Sequence, residues 1–245
     1  MAILSWHRSD PLPAAVGISD VLVRPTNDVA LLHTLTELAG EEIRTRLSHA
    51  HLPYIAWLNE HPVAYGWVAR EQASVGELGR ALRLDARTRY LWDFVTLPEW
   101  RGRRLYQRLL HGVLVQEAAA EQFWIIHAPE NRASERGIRR AGFLPVGELS
   151  FHTDGQPALA RLGGAAQRAS EGATLLGVRL LRGPCACALA PCWRCRLQPT
   201  NDCDCSNGPA ACGETRGTCS AVGEPGPTGL IVARCKRTCP CIATA

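Results

Sequence analysis

An α/β (α+β) fold with one mixed sheet is predicted for residues 20–162, and two observations predict it. Short runs rich in β-branched and aromatic residues alternate with stretches whose apolar residues recur at helical spacing, and turn or cap residues punctuate both. The chain also divides sharply by composition, because all 11 cysteines lie between Cys185 and Cys241 and none precedes them.

The elements follow in order. Residues 21–25 form a first strand. Asp28 caps a helix in which Leu31, Leu32, Leu35 and Leu38 share a face, and a second helical piece covers residues 41–47. Residues 54–58 and 63–68 are strands of a hairpin turned by Asn59-Glu60-His61-Pro62. Residues 71–89 are polar, hold two glycines and carry no clear period. Residues 90–96 are a strand that Leu97-Pro98 breaks, and a long helix spans residues 103–120. Residues 123–127 form a buried strand, and Asn131 caps a helix that Gly142 ends. Residues 143–151 and 158–162 complete the sheet as a strand pair. The resulting order is β-αα-β-β-β-α-β-α-β-β, with residues 1–19 as an N-terminal extension, 163–184 as a linker with an apolar run, and 185–245 as the cysteine-rich tail.

Composition excludes some functions. Hydrophobic residues make up 46% of the chain and charged residues 20%, enough for a packed core. A net charge of +4 is too small to argue for a nucleic-acid partner, and the basic residues are arginines except for Lys236, a skew expected of a GC-rich gene. His7, Arg8 and Asp10 stand where a secretory leader would have its apolar region. No apolar run is long enough for a spanning helix, so no membrane role and a cytoplasmic location are expected.

The chemistry is concentrated in residues 93–106, where a buried strand runs into a basic glycine-containing turn and then into a helix. The first N–H groups of a helix lack intrahelical partners, and the helix dipole adds positive charge there. Such a turn suits a pyrophosphate. Pro98-Glu99-Trp100-Arg101-Gly102-Arg103 resembles the start of the pyrophosphate-binding motif of the GNAT superfamily of N-acetyltransferases, R/Q-x-x-G-x-G/A. Asn131-Arg132-Ala133-Ser134 through Ala141-Gly142-Phe143 resembles that family's second motif, with an Asn on the cofactor side of a helix and Gly-Phe at its end.

The resemblance implies a mostly antiparallel central sheet flanked by helices, with two splayed central strands. It implies acetyl-CoA as cosubstrate and direct attack by a primary amine of a small molecule, peptide or protein. Main-chain groups near Phe94 and Thr96 would polarise the acyl carbonyl. Amides of Arg101, Gly102, Arg103, Arg104, Leu105 and Tyr106 would hold the pyrophosphate, with Asn131 and Ser134 on the second helix. Two departures stand out. Arg104 and Tyr106 occupy positions where the motif calls for small residues, and Ile138 replaces the tyrosine that usually protonates the departing thiolate. The proton then comes from water or from another side chain such as Tyr106.

Three residues are candidates for catalysis, each with a plainer alternative. His127 ends a buried strand at the splay, as a base or as a hydrogen-bonded strand end. Asp93 sits among apolar neighbours, to orient a cationic substrate or to pair with an arginine such as Arg89. Glu77 lies in the segment that shapes the acceptor pocket in the family, as a base or as a solvated loop residue. Trp57, Trp67, Trp92 and Trp124 line a pocket or fill the core, and His111 and Glu117 are expected to face solvent.

In the tail, Cys192 and Cys195 form a CxxC beside the CxC pair Cys185 and Cys187, a set able to chelate zinc. The competing readings are a redox-sensitive extension and a segment read out of frame. Function thus divides into an N-acetyltransferase, a non-catalytic acyl-CoA-binding module, or a metal-binding protein built around the tail. Two copies can pair through the last strands.

Overall fold

The structure, a computed structural model, describes residues 1–14, 20–128, 130–151, 156–162 and 166–181. Its described residues form two compact units: Ile3–Ser74 with Ala81–Pro145, and Met1–Ala2 and Val75–Arg80 with the described residues between 146 and 181.

The first unit opens with a strand that the sequence reading left inside the N-terminal extension. β1 (Ala2–His7) buries Ile3, Leu4 and Trp6. β2 (Val21–Pro25) pairs antiparallel with β3 (His51–Leu58), and β3 with β4 (His61–Ala69). The two-residue turn between β3 and β4 has φ 47° at Asn59 and 64° at Glu60, the mirror-image turn whose twist matches flanking strands. Between β2 and β3 lie α1 (Val29–Thr36) and α2 (Gly40–Ser48). The Asp28 carboxylate accepts from the amides of Ala30 and Leu31, as the cap signal indicates. Leu32 and Ile43 from these helices pack with Ile55, Tyr65 and Trp67 of the sheet. Each such buried side chain contributes roughly 1.5–3 kcal/mol of hydrophobic stabilisation.

The polar stretch without a clear period contains β5 (Gln72–Val75) and β6 (Arg80–Arg83), which pair as a separate two-stranded sheet. β7 (Thr88–Thr96) follows, then α3 (Leu105–Gln116), β8 (Gln122–His127) and α4 (Arg132–Arg140). Strand order in this unit is β1-β8-β7-β4-β3-β2. β4 and β7 are antiparallel, whereas β7 and β8 are parallel.

α3 ends at Gln116, short of the expected Ala120, because a distant arginine closes it. Arg8 donates to the carbonyls of Leu114 at 3.0 Å, Glu117 at 2.8 Å and Ala120 at 3.1 Å. A guanidinium there satisfies carbonyls the helix leaves open and meets the negative end of its dipole. Gly112 lets α3 lie against Val23 of β2, where a Cβ would collide with the valine side chain.

The expectation that His111 and Glu117 face solvent is overturned, since both are buried. Glu117 accepts from Tyr54 Oη at 2.8 Å, Arg70 Nη2 at 2.6 Å and Arg89 Nε at 2.7 Å. A buried carboxylate is tolerable when several donors satisfy it.

In the second unit, β9 (Leu144–Phe151) pairs antiparallel with β10 (Pro157–Arg161). The segment read as a linker holds α5 (Ala166–Leu176) and β11 (Arg179–Leu181), the latter parallel to β10. Ala158, Ala160 and Leu181 form a small core there. Among the described residues no helix is long and apolar enough to cross a membrane.

Candidate active site

The site grows out of the pairing of β7. Register with β8 runs from Thr88↔Gln122 to Leu91↔Ile125 and stops there, so the two parallel strands part beyond Leu91. On its other side, β7 meets β4 through a bulge. Tyr65 pairs with Val95 and Trp67 with Trp92, which leaves Asp93 and Phe94 opposite the single residue Gly66. A Cβ on Gly66 would come within 2.5 Å of the Phe94 ring, so glycine here makes room for that ring. Asp93 takes the left-handed conformation, φ 52°, at the bulge. The bulge frees the backbone around Phe94 from regular pairing at the point where the strands part.

The opening is a cavity of about 210 Å³ whose lining includes Trp92, Asp93, Phe94, Tyr106, His127 and Ser134. His127 is buried, and its Nδ1 lies 2.9 Å from the Ala128 carbonyl oxygen. A carbonyl only accepts, so Nδ1 carries the proton, and in the neutral ring the lone pair is on Nε2. Nε2 itself is buried without a hydrogen-bond partner, an unusual state for a polar atom unless it serves a ligand.

Tyr106, in the first turn of α3, faces Ser134 in the first turn of α4. Burial pushes its phenol above the ordinary value, while a hydrogen bond with the Ser134 side chain works the other way. Its ring meets Phe94 edge-on with centroids 6.0 Å apart. Asn131 accepts from the Ser134 amide at 3.0 Å and so caps α4 rather than pointing at a ligand in this state. Ile138, at the position where the family's tyrosine is usual, is fully buried hydrocarbon.

The turn before α3 exposes Arg101, Gly102, Arg103 and Arg104. Gly102 has φ 81° and Arg104 φ 61°, so the backbone at Arg104 keeps the left-handed conformation that suits glycine. No side chain caps α3, and its first amides remain open to an anion. Arg101 Nε donates to the Thr96 carbonyl at 3.2 Å, which ties this turn to the end of β7. Arg103 stacks over Trp100. These features fit an acyl-CoA: open helix amides for phosphate, a parting of strands for a pantetheine arm, and a buried, unpartnered imidazole nitrogen on a residue lining the cavity.

Asp93 does not pair with Arg89, which the buried Glu117 holds. Its partner is Arg46 of α2, whose Nη1 lies 2.7 Å from Asp93 Oδ2 and whose Nη2 lies 2.8 Å from Glu42. The Arg46 guanidinium also stacks 4.5 Å from the Trp92 centroid and 5.0 Å from that of Trp67. No sequence signal marks Arg46, which is brought to Asp93 by packing alone. The bulge did leave a signal, because Gly66 is an isolated glycine within a strand pattern.

The backbone of Glu77 sits in a single 3₁₀ turn, Gly76–Leu78, and its side chain lies outside the described residues. Cys185, Cys187, Cys192 and Cys195, the set read as able to chelate zinc, also lie outside them. Among the described residues no group of three or more His, Cys, Asp or Glu is placed to bind a metal.

No curated protein matches this chain in sequence. Solved structures with similarity include the aminoglycoside acetyltransferase AAC(6')-Ib in complex with coenzyme A and kanamycin, at 19% identity over 56% of this chain and 90% of that one, TM-score 0.42. The aminoglycoside N-acetyltransferase AAC(6')-Iy in complex with CoA matches at 19% identity over 54% and 97%, TM-score 0.40. A GCN5-related N-acetyltransferase from Kribbella flavida matches at 15% identity over 59% of this chain and only 53% of its own, TM-score 0.41. Likeness at these values is too distant to assign a substrate. The profile of the Acetyltransferase (GNAT) family matches residues 21–143, half of the chain and the whole stretch from β2 to the end of α4, and the protein therefore belongs to the GNAT acetyltransferase family and is an acyltransferase.

Proposed function

We propose that the protein transfers an acetyl group from acetyl-CoA to a primary amine by direct attack, with His127 as the base. The observation that carries this reading is His127 Nε2, buried and unpartnered, on a residue that lines the cavity where β7 and β8 part. Acetyl-CoA supplies the electrophilic thioester carbon. The open amides of α3 and the arginines of its turn take the phosphates, and backbone groups freed by the bulge at Phe94 polarise the acyl carbonyl. His127 Nε2 accepts the proton that the attacking nitrogen sheds, while Nδ1–H stays on the Ala128 carbonyl and fixes the ring. Tyr106 Oη, held by Ser134, gives its proton to the departing sulfur as the carbon–sulfur bond breaks, replacing a tyrosine at Ile138.

Acetyl-CoA titrated by calorimetry, followed by thiol release over an amine panel, tests the reading. Saturable binding and amine-dependent thiol release are expected; absence of binding overturns it. Arg104 in a turn that suits glycine favours a second reading, an acyl-CoA-binding module without turnover. Saturable binding with no thiol release from any amine would select that alternative.

A further inference from the structure

We infer that the acceptor amine carries a second, protonated nitrogen, and that Asp93 is the residue that holds it. This rests on the acetyltransferase reading of the cavity and names the class of acceptor it takes.

The cavity has two polar groups with unused capacity and different chemistry. On β8, His127 Nε2 offers a lone pair at a buried position with no partner, suited to a nitrogen that must lose its proton. On β7, Asp93 lines the same cavity. Only one of its carboxylate oxygens is engaged: Oδ2 takes the Arg46 hydrogen bond at 2.7 Å, and Oδ1 has no partner among the described residues. An ionised carboxylate has room for about four hydrogen bonds. Arg46 is itself fixed on several sides, by Glu42, Trp67 and Trp92, so it acts as an anchor that sets the Asp93 rotamer.

The surrounding charge favours a cation. Tyr65 is pushed up to about 12, by burial first and then by the Asp93 charge, with Arg46 and Glu37 also within its field. These charges therefore share one neighbourhood. Asp93 and Glu42 share the single Arg46 guanidinium there, and Glu37 acts on the same Tyr65, which leaves an acidic excess at this end. The other approach, past the turn before α3, exposes Arg101, Arg103 and Arg104. An anionic donor is drawn to one side and a cationic acceptor to the other.

A diamine satisfies both groups at once. Its ammonium binds Asp93 Oδ1 beside Trp92, and its second nitrogen, deprotonated, reaches the acyl carbon under His127. A monoamine of the same length can place its one nitrogen at Asp93 or under His127 but not at both, so it loses one of the two contacts in any productive pose.

The test compares 1,4-diaminobutane with n-butylamine on the full chain. Binding is read by calorimetry with and without acetyl-CoA, and turnover by thiol release. The diamine is expected to have a binding constant and kcat/KM about tenfold better, the advantage of one hydrogen bond to a charged group. In Asp93→Asn that diamine-to-monoamine ratio falls towards one. Asn tolerates left-handed backbone nearly as well as Asp, so the variant keeps the bulge, which circular dichroism and the melting temperature confirm. Equal affinity for the two amines in the wild-type protein overturns the inference without any variant. So does a ratio that survives in Asp93→Asn. If acetyl-CoA yields no product with either amine yet the binding ratio is present and Asp93-dependent, transfer is lost and the cation site stands.

Discussion

The ring of Tyr106 lies in the space that a side chain at residue 137 would fill: a Cβ on Gly137 would come within 2.7 Å of Tyr106 Cδ1. A large residue on α3, where the family motif calls for a small one, is thus matched by an absent side chain on α4. The pair brings the phenol to Ser134 and into the cavity.

Tyr106→Phe keeps the ring and removes the hydroxyl. It should bind acetyl-CoA with unchanged affinity and lower kcat by about 10²-fold, the usual size of a lost proton-transfer group. A normal kcat would assign thiolate protonation to water. Gly137→Ala should displace the ring, with both binding and melting temperature falling.

His127→Gln should leave acetyl-CoA binding intact and reduce kcat by roughly 10²–10⁴-fold. Amines supplied in their neutral form at high pH should recover part of the rate. A uniform loss at all pH values would make His127 a structural residue instead.

Arg104→Gly should stabilise the protein by about 1 kcal/mol, since glycine adopts the left-handed conformation at φ 61° without penalty. Urea unfolding measures the gain. Affinity for acetyl-CoA read on the same variant reports whether the Arg104 charge helps phosphate or crowds it.

Glu117→Gln should cost about 3 kcal/mol, because it leaves Arg89 buried without its counter-charge. Arg70 is 40% exposed on its side chain and adds less. Burial opposes ionisation of Glu117, but hydrogen bonds from Arg89, Arg70 and Tyr54 hold its carboxyl below the usual range. With a depressed folded pKa, its contribution is complete above the ordinary glutamate value of about 4.3 and is lost as pH falls through the lower folded value. Urea midpoints measured between pH 7 and pH 3 should therefore fall on acidification in the wild-type protein and fall less in Glu117→Gln.

Gly112→Val should lower the melting temperature by several degrees, because α3 cannot approach Val23 of β2 with a side chain between them. Acetyl-CoA affinity per folded molecule should be unaffected, a control that separates packing from site chemistry.

Much of the fold was legible because it rests on neighbours along the chain. Asp28 and Asn131 cap the helices they precede, Gly142 ends α4 at φ 96°, and the strand–turn–helix at residues 93–106 forms as its residue types dictate. The site was legible in part for the same reason, since His127 and Tyr106 both line the cavity. Other features were hidden. β1 is short and lies close to a polar turn, and α5 buries Ala169, Gly172, Ala173 and Leu176 at helical spacing, three of them too small to give a strong apolar signal. α3 was read as running to Ala120 because Arg8, far away in sequence, closes it sooner.

The sequence by itself determined the order of helices and strands, several of their caps, and a basic, glycine-containing turn opening α3, because hydrogen bonds and steric limits within a few residues set them. Only the tertiary structure decided which charges meet. Arg46 reaches Asp93 across 47 positions, and Arg89, four residues from Asp93, turns instead to Glu117. The reason is physical: in a regular strand Arg89 and Asp93 would share a face, but the bulge at Asp93 breaks the alternation, so the choice of ion-pair partner is made by what packs beside each residue and not by proximity along the chain.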